Sequence, residues 1–170
     1  VFALGKLGGR EVGFASDLEL LFVYTDDADS SGTRSHQNQT FYSELVRIFR
    51  SIIRARSEGV FEIDMRLRPH GDVGPLAVSC EAFKRYYTPG GGAWGFERQA
   101  LVKLRPIAGS EKLGKEILGY RDDFVYGSAP FDFDEAIRLR KRQRSELVAA
   151  GTVNAKYSAG GLLDVEYIVQ

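Results

Sequence analysis

The sequence predicts an α+β fold, and three observations predict it. Leu18–Tyr24 (Leu-Glu-Leu-Leu-Phe-Val-Tyr) is an apolar run of strand length and strand composition. Phe61–Arg68 alternates strictly: Phe61, Ile63, Met65 and Leu67 against Glu62, Asp64, Arg66 and Arg68. From Glu81 onward the apolar residues recur at helical spacing instead. Strands first and helices later is the order of an α+β protein. The chain has 170 residues, 44% hydrophobic and 27% charged, enough for a real core in about one domain.

The elements follow in order. Val1–Leu4 is a short strand-like run that breaks at Gly5, and Gly8-Gly9 marks a turn. After the strand Leu18–Tyr24, residues Thr25–Ser35 are acidic and rich in Ser and Gly, the composition of a loop. Between Gln37 and Arg56 the apolar residues Phe41, Leu45, Ile48, Phe49 and Ile52 fall on one helical face, with Gly59 as the stop. The alternating strand Phe61–Arg68 would show four charges on one face and end at Pro69. Helices are expected around Glu81–Tyr87, Glu97–Leu104, Glu111–Tyr126 and Asp132–Ala150, and a last periodic segment opens after Gly160-Gly161. The division this implies is a core over 1–108 and a helical region over 109–170, the start of a helical domain cut at its C-terminus. The chain begins at Val1 without Met, and is read as a piece of a longer protein.

Charge and cysteine content exclude several classes. Lys plus Arg equals Asp plus Glu, 23 each, which gives no overall pull toward nucleic acid or an anionic membrane. The one cysteine, Cys80, cannot make an intrachain disulfide and suits a reducing, cytoplasmic compartment. Neither His36 nor His70 has metal-ligand spacing, and both read as surface residues. Trp94, among glycines, reads as a packing anchor rather than a stacking platform.

The chemistry lies in carboxylates. Asp17 and Glu19 are two apart at the start of a strand, so both point to one face. Adjacent like charges repel, and a hard cation such as Mg2+ relieves the conflict while keeping positions for phosphate oxygens. The alternative is a polar strand start facing water. Should the strand carrying Asp64 lie alongside, Asp64 joins them around a pair of metal ions able to activate an attacking oxygen and stabilise a leaving one. Arg66 and Arg68 on the same face would then meet phosphate oxygens. The alternative is a solvated sheet face with Asp64–Arg66 and Glu62–Arg66 ion pairs. Lys103 and Arg105 are either helix-end cations or phosphate contacts. The basic run Arg138, Arg140, Lys141, Arg142 and Arg144 is either a solvated helix face or a docking surface.

Four ordered segments carry a resemblance. They are Gly5-Lys-Leu-Gly8-Gly9 through Ser16-Asp17-Leu-Glu19; Ile63-Asp64-Met-Arg-Leu-Arg-Pro69 with Gly74-Pro-Leu76; Glu97 through Lys103-Leu-Arg105; and Asn154-Ala-Lys156 through Gly160-Gly161, Asp164, Glu166 and Gln170. Together they resemble the glutamine synthetase adenylyltransferase/adenylyl-removing family. The resemblance implies a DNA-polymerase-β-type nucleotidyltransferase core, a mixed or antiparallel sheet with flanking helices, followed by a helical extension. It implies Asp17, Glu19 and Asp64 as catalytic metal ligands for Mg2+. It implies Gly8, Gly9, Ser16, Arg66, Arg68, Lys103 and Arg105 at the nucleotide and its phosphates.

The implied reaction moves AMP between ATP and a tyrosine of glutamine synthetase, or removes it with phosphate to give ADP. The wording of the second segment resembles the adenylyl-removing half. Implied partners are glutamine synthetase and a PII-type signalling protein, with no nucleic acid and no membrane. The chain departs from the family pattern at Gly95-Phe96, which separate Trp94 from Glu97, at Glu19, where Asp is usual, and at Lys156-Tyr-Ser-Ala-Gly160, looser than the family's stretch. The last two departures above all motivate a second expectation, a nucleotide-sensing regulatory domain of the same fold with weakened catalysis.

Overall fold

The computed structural model describes residues 1–29, 37–53 and 61–169. Its centre is β2 (Leu18–Tyr24), matching the expected strand residue for residue. On one side β1 (Phe2–Ala3) runs antiparallel, with Phe2 opposite Leu21, and β5 (Arg105–Pro106) extends the sheet antiparallel to β1. Two short parallel strands also pair with β2. β3 (Ile63–Asp64) pairs with Leu18 and Glu19, and β4 (Ala77–Ser79) pairs with Phe22–Tyr24. The result is a mixed five-stranded sheet, in keeping with the expected α+β class.

Successive residues of a strand point to opposite faces, so β2 feeds two cores. Leu21 packs with Phe2, Phe83, Leu101 and Ile117, in a cluster that draws on α3 (Cys80–Tyr86), α4 (Glu97–Val102) and α5 (Glu111–Tyr126). Leu20 and Tyr24 join Val46, Ile63, Met65 and Ala77 on the other side, under α2 (Asn38–Ile52). Burying a large aliphatic or aromatic side chain contributes roughly 1.5–3 kcal/mol, so the two clusters dominate stability. α2 still leaves Phe41, Leu45, Ile48 and Ile52 exposed.

Polar caps start the later helices. Ser79, Ser110 and Asp132 each accept an N–H from the first turn of α3, α5 and α6 (Phe133–Leu147). α7 (Leu162–Val169) follows the Gly160-Gly161 turn as expected. Among the described residues no helix is long and apolar enough to cross a membrane.

The structure corrects two expectations. The strand expected over Phe61–Arg68 is only Ile63–Asp64. The Asp64 carboxylate accepts the N–H of Arg66 at 2.8 Å, a side-chain turn that competes with the ladder and ends it. Arg68 therefore does not share an outer face with Asp64; it is buried. Trp94 is not a packing anchor but 63% exposed. His70 is exposed as expected, whereas His36, the Gly59 stop and Ser30–Ser35 of the expected loop lie outside the described residues.

Candidate active site

The start of β2 gathers the carboxylates. Parallel pairing sets Glu19 directly opposite Asp64, and Asp17 lies two residues before Glu19. Register partners on neighbouring strands project to the same face. Asp17 accepts the N–H of Glu62 at 3.0 Å, which ties β2 to the chain entering β3. Glu19 accepts the N–H of Lys6 at 3.0 Å. Its carboxylate lies where a side chain on Gly5 would stand, and Gly5 has a φ of 47°. Only glycine meets both demands at low cost.

Asp64 is paired with Arg66, whose Nη2 lies 2.6 Å from Oδ2 while Nε reaches both oxygens. These bonds hold the Asp64 carboxyl below the usual carboxylate range. The ion pair weighed from the sequence is thus present. Among the described residues no three His, Cys, Asp or Glu side chains are arranged to hold a metal. The donor chemistry nevertheless suits Mg2+, which takes hard oxygens and commonly only one or two carboxylates. Asp17 and Glu19 make such a pair, each with one oxygen that takes no hydrogen bond among the described residues.

The glycine turn and two expected phosphate cations serve the scaffold. α1 (Gly5–Gly8) uses the Gly8 N–H on Leu4 and the Gly9 N–H on Gly5. Gly8 is buried against the Lys103 backbone, where a side chain has no room. Arg105 donates to the carbonyls of Leu7 and Gly8 at 2.7 and 2.9 Å, fixing that turn from β5. Arg68 donates to the carbonyls of Met65, Asp72 and Gly74. Ser16, buried, accepts from Gly13 N–H and Lys6 Nζ.

A cavity of about 490 Å3 opens in front of Asp17 and Glu19. Its near wall carries Lys6 and Lys103, and its far wall carries Gln143, Lys156 and Glu166. Lys103 bridges the two walls, 3.0 Å from Glu11 and 2.9 Å from Glu166. Burial alone would lower the Lys103 ammonium; the hydrogen bonds it donates to Glu166 and Glu11 outweigh burial and raise it. Arg140 of the basic run is turned inward onto Asp164, at 2.6 Å, and onto the carbonyls of Tyr157 and Ser158. It pins α6 to α7 and so builds the far wall, while Arg138, Lys141, Arg142 and Arg144 stay exposed. Gly5, Lys6, Gln143 and Lys156 were not singled out from the sequence. Gly5, Lys6 and Lys156 lie inside two of the four ordered segments, which was the available signal.

Comparison with known proteins agrees with this chain order. Residues 1–120 match the family model described as glutamate-ammonia ligase adenylyltransferase. Over its whole length the chain is 36% identical to the bifunctional glutamine synthetase adenylyltransferase/adenylyl-removing enzyme of Pseudomonas aeruginosa and 38% identical to that of Pasteurella multocida. It spans 18% of the length of each of these relatives. The carboxylate-bearing β2 start, the β3 turn and the α4 segment all fall inside the matched residues, and the chain belongs to the glutamate-ammonia ligase adenylyltransferase family.

Proposed function

We propose that this chain is a nucleotidyltransferase catalytic unit that handles AMP on a tyrosine of glutamine synthetase, and that it is the adenylyl-removing one. The observation that supports it best is the register of β2 and β3, with Glu19 opposite Asp64 and Asp17 beside them at the mouth of a lysine-lined cavity. In removal, an oxygen of inorganic phosphate bonds to the adenylyl phosphorus as the bond to the tyrosine oxygen breaks. The tyrosine oxygen keeps the electron pair and takes up a proton, and AMP now joined to phosphate is released as ADP. Mg2+ bound by Asp17 and Glu19, with Asp64 once Arg66 releases it, would neutralise charge on the phosphate oxygens.

The chain's own residues do the rest. Lys6, Lys103 and Lys156 balance Asp17, Glu19 and Glu166 around the cavity, so a cation bound there would tip it toward a polyanion. Arg66, 70% exposed at its side chain, can exchange Asp64 for a phosphate, since its planar fork fits either. Asp64, freed in that exchange, is the general base for a tyrosine hydroxyl in the reverse sense. Glu62, through Asp17, and Lys6, through Glu19, keep the two carboxylates in place by their backbone N–H groups.

The test incubates the protein with adenylylated glutamine synthetase, inorganic phosphate and Mg2+. ADP release that stops on chelation with EDTA is expected. No ADP release, with AMP transfer from ATP instead, would assign the adenylylating half.

A second reading, a nucleotide sensor without turnover, is favoured by one observation: Asp64 is held by Arg66, outside any three-carboxylate cluster among the described residues. Calorimetric binding of ATP with no ADP or AMP transfer in either direction would establish it.

A further inference from the structure

A second cleft, of about 380 Å3, adjoins the carboxylate cavity and shares Leu67, Phe96 and Ala100 with it. That volume is within the usual range of small-molecule sites, roughly 300–1,000 Å3. Two aromatic rings stand at its edge. Trp94 and Phe96 lie near parallel, at 27°, with centroids 6.4 Å apart. They are 63% and 39% exposed, although the core clusters lie close by.

The rings are held out by a fixed support. Glu97 accepts the N–H of Trp94 at 2.8 Å and the hydroxyl of Tyr86 at 3.1 Å. Gly95, between them in the chain, has the Glu135 carboxylate where a side chain would stand. Arg66 stands at the same cleft, beside Asp64. One end of the joined space is therefore aromatic, with Arg66 beside the rings, and the other carries three lysines and the carboxylates Asp17, Glu19 and Glu166. A ligand that satisfies both ends has a planar aromatic head and a polyphosphate tail.

We infer that the Trp94–Phe96 shelf is the stacking site for the adenine base of the nucleotide. This rests on the nucleotide reading proposed above, and it places the base outside the carboxylate cavity, across Leu67 and Ala100. Aromatic faces take a base by stacking, without demanding hydrogen bonds from its edge.

Trp94 is the only tryptophan in the sequence, so its emission reports the shelf directly. Adenosine and AMP should quench it, whereas ribose 5-phosphate and pyrophosphate should not. By calorimetry, Phe96→Ala and Trp94→Ala should each weaken adenosine and AMP binding roughly tenfold or more, and leave pyrophosphate affinity unchanged. Trp94→Phe should restore most of the loss. Unchanged adenosine affinity in both alanine variants would overturn the assignment. So would an unchanged KM for the nucleotide with a raised KM for glutamine synthetase, because the shelf would then dock the protein target. Adenosine binding needs no turnover, so it is decided separately from whether AMP is transferred or removed. The unmodified chain's quenching stands as a readout if a variant fails to fold.

Discussion

The two ends of β2 both carry acidic residues beside a cavity, and they differ in how the acids are satisfied. At the start, Asp17 and Glu19 each accept one backbone N–H and, among the described residues, have their other oxygen without a hydrogen bond. At the far end, Asp27 accepts the Tyr24 hydroxyl on one oxygen at 2.5 Å and the Ser79 hydroxyl on the other at 2.6 Å. Ser79 in turn caps α3. Burial, then Asp27 itself, pushes the Tyr24 hydroxyl well above its ordinary range, so it stays a donor. The far cavity, about 390 Å3, is slightly larger than the aromatic cleft of about 380 Å3. Cavity size therefore does not separate a site from a structural cluster; unspent acceptors beside the cavity do.

The largest expected effect tests that distinction. Asp17→Asn keeps an oxygen for the Glu62 N–H but loses the charge. It should lower single-turnover AMP transfer or phosphorolysis by at least about a hundredfold, the scale of losing one preorganised charge stabiliser, with little change in melting temperature. Asp27→Asn should do the reverse: activity within about twofold, and stability lower by about 1 kcal/mol because the charged acceptor of two hydroxyls is gone. Equal losses of activity in the two variants would break the comparison.

The same contrast recurs two residues apart in Arg66 and Arg68, and there it shows where sequence reading stops. Both were expected on one charged strand face, because alternation alone treats them alike. The structure leaves Arg66 exposed on Asp64 and buries Arg68 on three carbonyls. Those carbonyls come from Met65 and from a 3-10 turn region at Gly71–Gly74, a pocket that no periodicity announces. Long elements were legible: Leu18–Tyr24 and Glu111–Tyr126 agree with expectation at both ends. Two-residue strands such as Arg105–Pro106 were not, since pairing with β1 and not local propensity defines them. Lys156 and Glu166 of the far wall were legible only through the ordered segments, because they line one cavity with Asp17 from far along the chain. Arg68→Met should cost about 2–3 kcal/mol by leaving buried carbonyls unpaired, and Arg66→Met under about 1 kcal/mol, both read by urea denaturation.

The smallest effect is in acid, and it tests saturation itself. The Ser79 and Tyr24 hydroxyls hold the Asp27 carboxyl below its ordinary value. A carboxyl depressed in the folded state adds stability that is fully present above its unfolded pKa, about 3.9, and is lost as pH falls through the lower folded value. The stability gap between the native chain and Asp27→Asn should thus be constant from about pH 7 to 5 and shrink below about pH 4. Because Asp27 lies at the surface, solvent screens part of this contribution, so the gap is small throughout and should be read as a difference of denaturation midpoints at each pH. A gap that persists unchanged to about pH 2 would mean that the two hydroxyls bind Asp27 equally well without its charge. The far end of β2 would then owe nothing to a satisfied carboxylate, and free oxygens at the near end would lose their value as the mark of a site.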